Sequence, residues 1–126
     1  MIQLVGTWER ELAQDTIRTI EFESFGSGLV YTSKIKANEK IINEGMSIMG
    51  YDNVNDKLFQ CLIFKNNPIV HNYAFWFTSP TKFTMMSYAD LQDPGKGEFV
   101  SSDLLVETHY LNGEVIRTTS WHRINK

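Results

Sequence analysis

The chain has one cysteine, Cys61, so an internal disulfide framework is excluded. Cys61 lies in "FQCLIF" with no CxxC and no nearby base, and reads as a buried thiol acting as a small hydrophobe, not as a redox group. No apolar run approaches the ~20 residues that span a bilayer. "MIQLVGTW" lacks the basic start and long apolar stretch of a signal peptide, so a cytoplasmic location is expected, although a mature secreted or periplasmic domain without its leader would read the same way. Twelve Lys and Arg stand against fifteen Asp and Glu. The basic residues form no cluster, which argues against a nucleic-acid partner. The three histidines, His71, His109 and His122, are isolated, without HxH, HxxxH or HExxH spacing; no metal site and no cofactor are implied. No G-x-S-x-G elbow marks a nucleophile. No segment sustains a helical period.

What remains is strand-like. Turn signals recur at short intervals: Gln14-Asp15, Gly26-Ser27-Gly28, Asn38-Glu39-Lys40, Asn53 to Asp56, Asn66-Asn67-Pro68, Ser79-Pro80, Asp93-Pro94-Gly95 and Asn112-Gly113. Between them lie β-branched and aromatic runs that predict about nine strands, near 3–13, 15–25, 28–37, 40–51, 57–65, 69–78, 82–90, 98–110 and 114–124. "LQDPGKG", Leu91 to Gly97, is expected to be a loop. At 126 residues the chain suits a single domain, 1–126. The pattern predicts an all-β fold, either a sandwich or an antiparallel up-and-down barrel of about 8–10 strands.

Alternation assigns faces. In the first strand Leu4, Gly6, Trp8, Arg10 and Leu12 should point inward, with Thr7, Glu9 and Glu11 outward. In the second, Arg18, Ile20 and Phe22 should point inward; in the third, Leu29, Tyr31, Ser33 and Ile35. The last hairpin is phased by Asn112-Gly113, which favours a two-residue type I′ turn. That register sets Leu111 against Glu114; from there Tyr110 against Val115, Thr108 against Arg117, Val106 against Thr119 and Leu104 against Trp121 point inward with Arg123, while Asp103, Glu107, Glu114, Thr118 and Ser120 lie on the wet face. His109 and His122 then face outward, His122 opposite Asp103. In the fourth strand Ile42, Glu44, Met46 and Ile48 form the more apolar face, so Glu44 is expected inside.

The "GTW" of Gly6 to Trp8, together with the "SWHR" of Ser120 to Arg123, resembles the lipocalin-like (calycin) barrels, and in style the small bacterial lipocalin-like domains of unknown function. The resemblance implies that the first and last strands meet to close a barrel. It further implies that Trp8 floors the lumen and Arg123 lies across its ring. Haem held by a histidine occurs in some calycin barrels, which makes His71 the residue to inspect. The leader, disulfides and helix of secreted lipocalins are not evident here, nor is the helical pair of fatty-acid-binding proteins.

The predicted lumen mixes aromatics and methionines with a few polar groups, the usual profile of a small-molecule site. The expected ligand is apolar or amphipathic, possibly anionic, with Arg117, Tyr110, Glu44, Tyr31, Arg18 and Thr108 as candidate binding residues. Arg117 would anchor an anion or pair with Glu44. A lumenal Glu44 without such a partner would be driven neutral and suited to acid–base work. The principal reading is thus a non-enzymatic ligand-binding barrel. The alternatives are a lumen-based isomerase or lyase using Glu44, Tyr110 and Arg117, and a filled-barrel interaction module. Strands near 57–90 carry apolar residues on both faces, so a homodimer covering the outer face is expected.

Overall fold

The computed structural model describes residues 2–88 and 93–125. One 3-10 turn, Ile2–Leu4, precedes ten antiparallel strands: β1 Gly6–Ala13, β2 Thr16–Phe25, β3 Gly28–Ala37, β4 Lys40–Asp52, β5 Lys57–Phe64, β6 Asn67–Ser79, β7 Lys82–Ser87, β8 Asp93–Ser101, β9 Leu104–Leu111 and β10 Glu114–Asn125. Each strand pairs with the next, and β10 pairs with β1, closing an up-and-down barrel. The all-β class and the barrel alternative of the sequence reading both hold.

Three segments differ from expectation. The strand predicted over 3–13 begins at Gly6, after the 3-10 turn of Ile2–Leu4. The strand predicted over 98–110 is two strands, broken at Ser102 and Asp103, where the Ser101 hydroxyl accepts the Asp103 N–H at 3.2 Å. The predicted loop is partly strand: β8 begins at Asp93 despite Pro94 and two glycines. A Cβ at Gly97 would lie 2.1 Å from the Phe83 ring. The glycine lets that ring rest on the backbone, so it marks a close approach and not a turn. Positions 89–92 of the predicted strand and loop lie outside the described residues.

The first-strand phase is as expected as far as Arg10; Leu12, expected inward, is 40% exposed, because the β1–β2 register shifts between Glu11 and Ala13. Trp8 is 1% exposed; its indole N–H donates to the Leu4 carbonyl at 2.8 Å. The Arg123 guanidinium lies 4.3 Å from the centre of the Trp8 ring. Its nitrogens donate to the carbonyls of Val5, Gln3 and Ser102, and Asp103 lies 3.6 Å from Nε. Cation–π stacking thus covers the indole, while the planar fork binds the N-terminal turn to the β8–β9 loop. Gly6 has φ near 123°, a conformation that side chains with a Cβ rarely adopt, and this explains a glycine at that point of a strand. Replacing Trp8 by Ala is expected to cost ~3–5 kcal/mol through the cavity left behind, read as a lower denaturation midpoint; an unchanged midpoint would remove Trp8 from the closure.

The outer wall holds a correction. In β4 the buried residues are Gly45, Ser47 and Met49, so Glu44, Met46 and Ile48 face out, Glu44 opposite Lys34 of β3. The apolar face of this strand is its solvent face. Side-chain size decides: a Cβ at Gly45 already meets the Phe64 ring at 3.0 Å, and Ser47 lies opposite Tyr31. Small residues inside β4 leave room for rings from β3 and β5. Cys61, paired with Ile48, is half-buried on this outer wall and not in the lumen.

Candidate functional site

The lumen is a cavity of about 270 Å³, and strand direction divides it in two. Toward the end plugged by the 3-10 turn, the lining is aromatic. Phe83 packs against Phe75, Phe77 and Phe99 at centroid distances of 6.4, 5.6 and 6.1 Å, and Trp8 packs on Phe99 at 6.0 Å. Toward the far end the lining includes Arg10, Arg18, Glu107, His109, Arg117 and Asp93. The two halves meet at Trp121, buried in β10.

Trp121 organises the charged half. Its indole N–H donates to Glu107 Oε1 at 2.8 Å. The guanidinium of Arg10 lies 5.0 Å from its ring centre and that of Arg18 lies 5.7 Å away. Arg18 also lies over Phe64 at 5.5 Å and donates from Nε to the Ser33 hydroxyl at 2.9 Å. Tyr31 accepts a hydrogen bond from Gln60 at 2.8 Å. Burial, followed by the Arg18 charge, pushes the Arg10 guanidinium below its ordinary value; Glu107 opposes this and Arg117 adds to it. Arg10 Nε and Thr119 Oγ1 are buried with no hydrogen-bond partner among the described residues, an expensive state for polar groups.

Three of the candidate binding residues, Arg18, Tyr31 and Arg117, line the lumen. Glu44, Tyr110 and Thr108 do not. For Tyr110 and Thr108 the cause is one residue. The Asn112-Gly113 turn forms as expected, with positive φ at both positions, and Tyr110 pairs with Val115. A bulge then skips Ile116, and Arg117 pairs with His109. The extra residue inverts the phase of β9 beyond the bulge. Glu107 and His109 therefore point inward, while Thr108 and Tyr110 point outward, Tyr110 lying 6.0 Å from the Lys96 ammonium. His122 is opposite Leu104 instead of Asp103. Glu44, Tyr110 and Arg117 thus form no common constellation. The sequence points Arg10 inward without marking it as a binding residue and points Glu107 and His109 outward; nothing in their own spacing reveals the bulge. His71 packs edge-on against Phe64 at 6.1 Å, and among the described residues no group of three His, Cys, Asp or Glu could hold a metal ion. Among the same residues, no helix is long and apolar enough to cross a membrane.

No protein-family model matches the chain, and no curated protein matches it significantly.

Burial raises the Tyr31 phenol above its ordinary value, only partly offset by Arg18 and by hydrogen bonds. The folded state therefore holds this proton more tightly than the unfolded chain. Its contribution to stability is complete below the ordinary tyrosine pKa of about 10 and is lost as pH rises through the higher folded value. Stability measured by denaturant titration is expected to fall above pH ~10, and Tyr31→Phe should flatten that fall; an identical slope in the variant would contradict the assignment.

Proposed function

We propose that this protein is a lipocalin-like binding barrel that holds a small apolar or amphipathic molecule in its lumen, without catalysing its conversion. The observation that carries the reading is the graded lining of the cavity. Its closed end is a cluster of phenylalanines around Phe83, and its far end holds the arginines around Trp121. A mostly apolar pocket with a few convergent polar groups is the ordinary form of a small-molecule site. The cavity lies near the lower end of the usual size range, which favours a compact ligand. The calycin likeness is supported by the Trp8–Arg123 closure at the junction of first and last strands. The test uses a neutral dye, N-phenyl-1-naphthylamine. It should bind the wild type and lose at least tenfold in affinity for Met85→Trp, which places a bulkier group in the lumen, while circular dichroism shows the fold intact. Equal binding to both, or none to the wild type, would overturn the reading.

A second copy of the chain is proposed to cover the outer wall of β4–β6. Met46, Ile63 and Val70 form one cross-strand row and Ile48 with Cys61 begins the next. Met46 is 66% exposed, Ile48 63%, Ile63 46% and Val70 47%. Adjacent exposed rows of this kind are uncommon on a monomer. The patch is centred nearer the β4–β5 pair than the 57–90 region that the sequence pattern suggests. Sedimentation at micromolar concentration should show a dimer that Ile48→Asp converts to a monomer; a wild-type monomer would refute it.

A further inference from the structure

The wall of the barrel is not hydrogen-bonded along its whole length. Between β1 and β10 the pairing runs Thr7↔Asn125, Trp8↔Arg123 and Glu9↔His122, and stops there. Beyond that point each strand remains paired on its other side, β1 to β2 and β10 to β9. A cleft between them is lined by Glu9 to Leu12 on one lip and by Arg117 to Ser120 on the other. Arg10 and Arg117 line both this cleft and the lumen, so the two spaces meet at these arginines. The two buried side-chain polar atoms without partners among the described residues, Arg10 Nε and Thr119 Oγ1, belong to the same seam, one on each strand.

We propose that the inner side of this seam is an oxyanion subsite, in which Arg10, Arg117 and Thr119 hold the carboxylate or phosphate head of an amphipathic ligand. The proposal rests on the reading of the lumen as a ligand cavity and adds the chemical class of the ligand and its direction. Among the described residues, three guanidiniums, Arg10, Arg18 and Arg117, line the lumen against two carboxylates, Glu107 and Asp93. Glu107 is engaged by the Trp121 N–H, and Asp93 by the Gly113 N–H at 2.9 Å. Arginine stays charged in a protein, so the excess positive charge cannot be removed by deprotonation. An oxyanion would supply the missing acceptor for Arg10 Nε and accept from the Thr119 hydroxyl, making charge-assisted bonds that neither group makes within the protein. Glu9 and Glu11 stand on the outer lip, so an anion reaches the subsite from the lumen and not through the wall. The tail then extends toward the phenylalanines at the closed end, placing the head at the charged half and the chain inside.

The test compares octanoate, octyl phosphate and 1-octanol by titration calorimetry on the intact protein. Wild type should bind at least one of the two anions tenfold or more tightly than the alcohol, and which anion is preferred distinguishes a carboxylate head from a phosphate. Arg10→Gln and Thr119→Val should each lose that preference while binding 1-octanol within about twofold of wild type. Because Arg10 also packs on Trp121, a direct reading accompanies the variants: the Nε–H resonance of Arg10 in the wild-type protein should shift with the preferred anion and not with the alcohol. If the alcohol binds as tightly as both anions, or the Arg10 resonance does not move, the subsite is refuted and the lumen reading survives. If none of the three binds, both fall.

Discussion

Everything in this barrel depends on the contact between its first and last strands, and that contact is short. Three pairs of residues join β1 to β10. The junction is reinforced by one arginine stacked on one buried indole. Arg123 also donates to three carbonyls from two separate segments, so a single planar group ties the N-terminal turn, the β8–β9 loop and the closing strand together. A stack of this kind suits a strand junction because the indole face accepts the cation while the guanidinium edge remains free for backbone oxygens. The other end of the same seam is unpaired, and there Arg10 Nε has no hydrogen-bond partner among the described residues.

The two halves of the lumen follow from this asymmetry. At the closed end, where β1 and β10 pair, the lumen is lined by rings in tilted and edge-on contact. Toward the far end, the interior instead carries Arg10, Arg18, Glu107 and Trp121 in a network of stacking and charge. Such a network is costly to bury without complete partners. Arg18 is well served by Ser33, Phe64 and Trp121. Arg10 is not: its Nε is orphaned and its neighbours include two like charges. That incomplete network is the basis of the proposed preference for an anionic head, which a uniformly apolar cavity would lack.

Much of this was legible in the chain. Alternation in β1, β2 and β3 placed Trp8, Arg10, Arg18 and Tyr31 inward, because polar residues on the opposite face left a single choice of phase. Two parts were not legible. In β4 both faces carry apolar residues, so hydrophobicity pointed the wrong way and steric fit against Tyr31 and Phe64 settled the matter. In the last hairpin the turn was recognisable but the bulge at Ile116 was not, and a single unpaired residue exchanged Thr108 and Tyr110 for Glu107 and His109.

The sequence by itself determined a meander of short strands, the phase of the first three of them and the identity of the residues that close the ring, since these rest on local alternation, turn chemistry and a recognisable tryptophan–arginine pair. Only the tertiary structure decided which charges share the lumen, because that depends on where strands slip past one another and on which side chains are small enough to let a neighbouring ring in. Register is a long-range property: each bulge is a compromise between two strands, and neither strand carries it alone.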